Sequence, residues 1–385
     1  MDFSFDDDDL ALRDAVRRFC DDAFPANERG DPLSPQREAS LRTALTDLGL
    51  FGLALPEAVG GSGLGPVQTM VVAQEFGRAL ATGAWFASAA IAAPLLAEAA
   101  SPEQQRRWLP RAAAGTSVVT LACHEHDARY DASRVLARAR RHGDGWQIDG
   151  CKTLVLEGDT ADLLLVVART DGEPDARTGL TLLAVERCAP GVSVAAHATL
   201  EARRIATLSL DRVAVAATDV VGPVGGAWPL VERGIDRAVA AVCADSAGAL
   251  EAMLELTAEH LRTRRQFGAP LATFQVLQHR VADLAIALEQ LKSMACAAAL
   301  ALQPEVDAQR PRLVSAAKEL ASRLGRECAF TAIQLHGAMG MTDEARVSHY
   351  ARRLIANGQW FGDASHHLRR FMSHPDGGHN EGDIG

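Results

Sequence analysis

The most constraining feature of this sequence is an apolar repeat in its C-terminal half. The repeat advances by steps of 3, 4, 3, 4 and 3 residues and consists of Phe274, Leu277, Val281, Leu284, Leu288 and Leu291. This spacing places the six side chains on one side of a long helix. A helix with one apolar side must pack against other helices, so the repeat predicts a helical bundle.

The residues just before this repeat have a different character. Arg262, Arg264 and Arg265 lie close together and are followed by Gly268 and Pro270. Proline cannot continue a helix and glycine permits a tight turn, so two helices are expected to meet here. An arginine at such a junction can bind a phosphate group with its planar fork. The alternative is a solvated basic helix end.

The overall composition limits the possible partners. The chain has 385 residues, which predicts two or three domains, and its net charge of -10 argues against nucleic acid as a main partner. The arginine cluster is therefore expected to serve a local anion. No apolar run is long enough to predict a membrane span, and the acidic N-terminus does not resemble a secretory signal.

The cysteine pattern indicates a reducing compartment. The 7 cysteines are scattered singly along the chain, without a CxxC pair. This dispersed, odd set is typical of free thiols in the cytoplasm and not of a disulfide framework or a zinc site. Four histidines lie near the C-terminus without ligand-like spacing, so no metal site is predicted.

The hydrophobic periodicity predicts three segments and a tail. Residues 1–116 have helical patterns, residues 117–228 contain short Val-, Leu- and Thr-rich runs typical of strands, and residues 229–372 are helical again. Ser101 and Pro102 have the residue types of a helix start. Asp149 and Gly150 are expected to form a tight turn. Residues 373–385 are polar and glycine-rich and are predicted to be a tail.

The arginine-rich junction resembles the signature of the acyl-CoA dehydrogenases. The matching pattern is Arg264-x-x-Phe267-Gly268, Pro270-Leu271 and Phe274-Gln275. The resemblance implies an N-terminal helical domain, a middle β-barrel or sandwich domain and a C-terminal domain like a four-helix bundle. It also implies that Arg264, Phe267 and Gln275 bind the pyrophosphate and adenosine of an FAD held by a neighbouring subunit.

A second stretch, from Gln334 to Thr342, is similar to the glycine-rich turn that serves the adenosine end of FAD in this family. The resemblance assigns cofactor binding to Gln334 and Gly337, while Ala338 replaces the family's second glycine. Without the family, the stretch is a glycine-rich helix break.

The middle segment departs from the family pattern. His124 replaces a threonine that contacts the flavin, and Tyr130 replaces a small serine. In the family's flavin-facing strand, Leu156 replaces a hydroxyl-bearing residue and offers no side-chain hydrogen bond. A flavin bound by this subunit's own middle domain would therefore lose several polar contacts, each worth roughly 1 kcal/mol.

The position of the catalytic base also differs. Phe361 stands where many family members have a glutamate, and phenylalanine cannot accept a proton. Other members place the base before an arginine on the first helix of the C-terminal domain, where this chain has Asp236 and Arg237. The resemblance therefore makes Asp236 the candidate catalytic base. The alternative is a local ion pair or a solvated carboxylate.

These departures together resemble the smaller subunit of two-subunit acyl-CoA dehydrogenases, such as pimeloyl-CoA dehydrogenase. Three functions follow as alternatives. The first is an FAD-dependent dehydrogenase that desaturates an acyl-CoA thioester within a hetero-oligomer and passes electrons to an acceptor. The second is a non-catalytic partner that completes the FAD site of another subunit. The third is a flavin oxidase or hydroxylase of the same fold.

Overall fold

The computed structural model describes residues 5–25, 29–30 and 33–374. The predicted tail lies outside the described residues from position 375 onward. Contacts divide the chain into two compact units, each assembled from separate stretches. The first contains Met1–Gly30, Pro66–Ala81 and Val239–Gly385, and the second contains Asp31–Gly65 and Thr82–Ala238. The boundaries predicted at residues 116 and 228 divide the chain into consecutive segments, which these contact-based units do not test. They therefore stay a prediction.

Three of the five helices of the N-terminal segment begin at a capping side chain, provided by Asp6, Ser34 and Ser101. The five are α1 Asp7–Ala23, α2 Pro35–Asp47, α3 Pro66–Ala79, α4 Ala93–Ala99 and α5 Pro102–Ala113, with a π-helical turn at Phe86–Ala92 before α4. The Ser101 hydroxyl accepts the backbone N–H of Gln104, and the Gln104 side chain accepts the N–H of Ser101. This capping box confirms the predicted start of α5.

A mostly antiparallel sheet forms the middle segment. Its strands are β1 Val119–Ala122, β2 Arg138–His142, β3 Gly145–Leu156, β4 Leu163–Arg169, β5 Leu180–Glu186, β6 Val192–Ala198, β7 Arg204–Val215 and β8 Val220–Val221. The order across the sheet is β6-β7-β3-β2-β4-β5-β8, with β1 parallel to β4. Every residue of β4 is buried, which agrees with the continuous apolar run that precedes Arg169 at its end.

One local expectation for this sheet needs correction, and one of its strands was not predicted. Asp149 and Gly150 do not form a turn but lie inside β3, where the pairing with β7 shifts register. Gly150 has φ +150°, and a Cβ there would lie 2.5 Å from the Cβ of Ala137, so close packing of the strand selects glycine. Strand β2 was not predicted because its sequence, RARRH, lacks an apolar alternation.

The hydrophobic core of the second unit lies between this sheet and the neighbouring helices. Leu95 and Leu96 of α4 pack with Leu165 of β4, Leu182 of β5 and Val231, and all five are buried. Val231 lies near the start of α6, Trp228–Thr263. The packing therefore holds the first turns of α6 in the second unit.

Long helices dominate the first unit and confirm the predicted helical C-terminal segment. After α6 come the short strands β9 Arg265–Gln266 and β10 Ala269–Pro270, then α7 Gln275–Leu300, α8 Arg310–His336, α9 Arg346–Asn357 and α10 Ala364–Met372. The apolar repeat begins at the N-cap Phe274 and continues along α7, where Leu284, Leu288 and Leu291 are buried. No single helix among the described residues has the length and apolarity to cross a membrane, although the bent pair Gln275–Leu300 and Pro304–Met341 meets that test jointly.

Helices α3 and α6 touch through their backbones. A Cβ added to Gly77 would lie 1.9 Å from the Asp245 carbonyl oxygen, and one added to Gly248 would lie 1.7 Å from the Gln74 carbonyl oxygen. The two glycines therefore set the distance between the helices. This crossing joins α3 to a helix more than 150 positions later in the sequence.

Candidate functional site

The junction between α6 and α7 folds as a small hairpin that presents Phe267 to the outside. Gln266 pairs with Ala269, and Arg265 pairs with Pro270. Phe267 and Gly268 form the turn with φ values of +53° and +81°. Positive φ at both central residues is typical of a type I′ hairpin turn, although the conformation is uncommon for an aromatic residue. Phe267 is 88% exposed, so its large ring has little packing within the chain.

Arg264 lies at the base of this hairpin with its side chain exposed. Its backbone is held in place, because its N–H donates to the carbonyl of His260 at 2.9 Å and its carbonyl accepts the N–H of Leu271 at 2.9 Å. The nearby carboxylate of Glu259 pairs with Arg262 at 3.6 Å and not with Arg264. The Arg264 guanidinium is therefore placed to bind an anion from outside the chain.

Gln275 begins α7 next to the hairpin and is also exposed. The preceding residue, Phe274, meets the edge of the Phe267 ring at a centroid distance of 6.1 Å. The structure therefore brings Arg264, Phe267 and Gln275 to one end of the first unit. Together they offer a cation, an aromatic face and an amide.

The glycine-rich turn after α8 belongs to the same end. Gln334 is exposed in the last turn of α8, and Gly337 ends the helix with φ +68° and ψ -150°. These angles are essentially restricted to glycine. A Cβ on Gly337 would meet no atom within 4 Å, so the backbone conformation, and not crowding within the chain, selects glycine there.

Two histidines that the sequence analysis did not single out connect these segments. The rings of His260 and His336 stack with centroids 4.4 Å apart. His260 lies four residues before Arg264, and His336 directly precedes Gly337. Burial lowers the pKa of both imidazoles, and the charges of His336 and Arg264 lower that of His260 further. Their closeness in sequence to Arg264 and Gly337 was the signal that the sequence offered. Their pairing could not be predicted from it, because the pairing depends on how the helices pack.

The two stretches of the middle segment that depart from the family pattern, one at His124 and one at residues 152–156, are in contact. The Thr153 N–H donates to the carbonyl of His124 at 2.9 Å. Beside this bond, the fully buried Lys152 Nζ lies 2.6 Å from a carboxylate oxygen of Glu125. That carboxylate also accepts the N–H groups of Leu136 at 2.7 Å and Ala137 at 3.1 Å. These polar groups are therefore used within the chain.

The strand that carries Lys152 bulges just beyond it. Pairing with β7 shifts between Lys152 and Val155, and Leu154 has φ +54° and is 49% exposed. Leu156 is buried, and its carbonyl accepts the Thr120 hydroxyl at 2.6 Å. A positive φ in a branched residue is a strained conformation that clusters at functional positions. Leu154 is thus an apolar side chain displayed by a distorted strand.

Asp236 lies on α6 in the second unit and is fully buried. The solvated alternative is therefore wrong. On the same helix, Arg237 lies 3.5 Å from Glu98, and Arg233 also pairs with Glu98. A carboxylate inside the fold can accept a proton only from a group that is brought directly to it.

Phe361 lies in a turn fixed by two buried basic side chains. Lys318 Nζ donates to the carbonyls of Asn357 and Gly362, each at 2.8 Å, while His367 Nε2 lies 3.0 Å from the Phe361 carbonyl. Burial lowers the pKa of Lys318 to about 8 and that of His367 to about 2. Phe361 has φ +56° and is half-buried. The turn thus holds an apolar residue where the resemblance predicts a glutamate in many members.

Family models match the chain almost from end to end. The model for the acyl-CoA dehydrogenase N-terminal domain matches residues 6–116, that for the middle domain matches 120–213, and that for the C-terminal domain matches 225–372. The acyl-CoA dehydrogenase FadE27 of Mycobacterium tuberculosis is 31% identical over 346 residues, which cover 88% of this chain and 89% of that protein.

Solved structures share the same architecture. The ChsE4-ChsE5 complex of Mycobacterium tuberculosis contains a chain with a TM-score of 0.86 and 28% identity, and the match covers 97% of this chain and 98% of that one. Butyryl-CoA dehydrogenase from Megasphaera elsdenii gives a TM-score of 0.88 at 22% identity, with 97% and 99% of the two chains covered. The chain therefore belongs to the acyl-CoA dehydrogenase family of flavoprotein oxidoreductases.

Proposed function

We propose that this chain is a subunit of an FAD-dependent acyl-CoA dehydrogenase that desaturates an acyl-CoA thioester at its α and β carbons. The observation that carries the proposal is the outward presentation of Arg264, Phe267 and Gln275 at one end of the first unit. A cation, an aromatic ring and an amide directed away from the chain are suited to a ligand shared with another subunit. The assembly is proposed to be a hetero-oligomer.

The exposed groups fit the non-flavin end of FAD. Arg264 would bind the diphosphate with its planar guanidinium, and Phe267 and Gln275 would contact the adenosine portion. Gln334 and the backbone at Gly337 would face the adenosine as well, because their turn is joined to the hairpin by the stacked histidines. Bound FAD would supply the hydride acceptor for the β-hydrogen.

The chain's own part in the chemistry is proposed to be proton removal by Asp236. A buried carboxylate is poorly solvated and acts as a base when the α-proton of the thioester is brought within hydrogen-bond distance. In the assembled enzyme, Asp236→Asn should lower turnover on a saturated acyl-CoA by about 10²–10⁴-fold and leave flavin content unchanged. Turnover can be followed with an artificial electron acceptor, because an electron-transfer partner is also part of the proposal.

A second candidate function is a non-catalytic subunit that completes a partner's FAD site. Two observations favour it: Phe361 occupies a family base position, and Lys152 and Glu125 satisfy each other inside the second unit. Full activity of the Asp236→Asn assembly would assign the base to the partner and support this function.

The visible spectrum of the chain expressed alone separates the candidates further. Strong flavin absorbance would support a subunit that holds its own cofactor. A colourless chain that becomes yellow only when expressed with a second dehydrogenase subunit would support the completing role. Oxygen consumption that accompanies substrate turnover would instead indicate an oxidase or hydroxylase.

A cytoplasmic location is part of the proposal and is supported by seven free cysteines within the described chain.

A further inference from the structure

The stacked histidines lie between the two segments proposed to bind the non-flavin end of FAD. The His260 carbonyl accepts the Arg264 N–H at 2.9 Å, and the His336 ring stacks on His260 at 4.4 Å. Gly337 follows His336 directly. A change in the charge of this pair would therefore alter the electrostatic potential where an anion would be bound.

The charged groups next to His260 include one acid, Glu259, which pairs with Arg262 at 3.6 Å. Among the described residues, the groups whose charge acts on His260 are His336 and Arg264, and both disfavour its protonation. His336 Nδ1 lies 2.9 Å from the Ala332 carbonyl, which fixes the proton of the neutral ring on Nδ1. Without an anion, two neutral imidazoles beside one guanidinium are the favoured state.

We propose that His260 and His336 form a proton-linked part of the cofactor's anion site, so that the pair takes up a proton when a diphosphate binds to Arg264. The inference rests on the proposed function, because it assumes that Arg264 binds the diphosphate of FAD. The anion neutralises the charge that opposes protonation of His260. By linkage, a proton on the pair must in turn strengthen anion binding. The two histidines act as positioning and tuning residues and take no part in proton removal from the substrate.

The test is the pH dependence of FAD affinity in the assembled oligomer. The charge of FAD itself does not change between about pH 5.5 and about pH 7.5, so a difference in affinity belongs to the protein. FAD dissociation can be followed by flavin fluorescence after dilution. The expected result is a dissociation constant about threefold smaller at the lower pH. Equal dissociation constants at the two pH values would overturn the inference without any variant.

Variants locate the effect. His260→Phe keeps an aromatic ring for stacking but cannot be protonated, and it should reduce the pH ratio to about one. His336→Phe should do the same and provides the test if His260→Phe does not assemble. His142→Phe is the control, because His142 is an exposed histidine in the β2–β3 hairpin. It should keep the wild-type ratio, and loss of the ratio in this control would assign the effect elsewhere.

Arg264→Ala separates this inference from the function on which it rests. If Arg264→Ala leaves FAD affinity unchanged at both pH values, the proposed grip on the diphosphate fails. If Arg264→Ala weakens FAD binding while wild type and His260→Phe share one pH ratio, the grip stands and the histidine inference fails.

Discussion

The Arg264 hairpin and the Lys152 strand use their polar side chains in opposite ways. In the hairpin, the backbone of Arg264 is bonded within the chain, but the side chains of Arg264, Phe267 and Gln275 are exposed. In the strand, Lys152 is fully buried against Glu125, which also accepts two backbone N–H groups. The exposed side chains of the first region are available to a ligand, whereas the polar groups of the second are bonded to one another within the chain.

One fold can therefore keep some polar side chains bonded internally and leave others available to a ligand. Removal of a buried, paired lysine leaves its partner as an unpaired buried charge, which is strongly destabilising. An exposed arginine contributes little to the stability of its own chain and is available to a ligand. The two regions should therefore respond differently to mutation: one in the free energy of unfolding, the other in cofactor content.

The largest effect is expected for Lys152→Met. Methionine fills a similar volume but leaves the Glu125 carboxylate buried without its counter-charge, which should lower the free energy of unfolding by about 3–5 kcal/mol. Urea unfolding of the assembled protein measures the change. The matched control is Lys292→Met in the first unit, where a half-buried lysine lies 3.0 Å from Glu251. It should cost ~1 kcal/mol or less.

The pair itself can be isolated with a double variant. Lys152→Met combined with Glu125→Gln removes the unpaired charge and should recover part of the lost stability. Equal losses in Lys152→Met and Lys292→Met would remove the contrast between a buried and an accessible pair.

Arg264→Ala is expected to act on cofactor content instead of stability. Losing charge-assisted hydrogen bonds worth about 1.5–3 kcal/mol should weaken FAD binding by about ten- to a hundredfold. Flavin per assembled protein, measured by absorbance after gel filtration, reports the loss. Arg262→Ala is the control, because that arginine lies on the same helix end and pairs with Glu259. Unchanged flavin content in the Arg264→Ala assembly would contradict the assignment.

The last prediction concerns the pH dependence of stability and the carboxyl that follows the Lys152 strand. Glu157 is buried and accepts the Thr160 hydroxyl at 3.1 Å, and Arg204 pairs with the neighbouring acids Glu38 and Asp159. Burial, followed by the charge of Glu38, raises the pKa of Glu157 from 4.5 to about 8. The folded protein therefore holds a proton that the unfolded chain releases above about pH 4.5.

This proton makes the stability contribution of Glu157 fall as pH rises. The contribution is complete below about pH 4.5 and is lost between there and about pH 8, with a slope of at most about 1.4 kcal/mol per pH unit. The free-energy difference between wild type and Glu157→Gln should decline over this range and level off above it. A difference that stays constant with pH would show that Glu157 is ionised in the folded protein.

The sequence predicted the features that depend on local pattern. The apolar repeat of α7, the cap of α5 and the order of helical and strand segments follow from periodicity and capping chemistry. Strand β2 was not predicted because its arginines give no alternation of apolar and polar residues. It is a strand because it pairs with β3. The turn predicted at Asp149 and Gly150 was wrong because an Asp-Gly dipeptide is compatible with a turn and also with a strand that packs closely on Ala137.

The candidate site was predicted where motifs were intact and missed where contacts are long-range. The resemblance pointed to Arg264 and Gly337 separately, but only helix packing pairs His260 with His336 across the space between them. A turn at Gly268 was predicted, but the hairpin that exposes Phe267 was not, because a positive φ at phenylalanine contradicts its ordinary preference. The roles of all these residues in cofactor binding stay predictions.

The glycine crossing of α3 and α6 restricts the evolutionary drift of this chain. A larger residue at Gly77 or Gly248 would collide with backbone atoms of Asp245 or Gln74, which every amino acid possesses. No side-chain change on the opposite helix can relieve such a collision, so a second substitution cannot rescue the first. Both positions are already at the smallest residue available. The crossing is therefore closed to compensatory exchange, while the surfaces around it remain free to diverge.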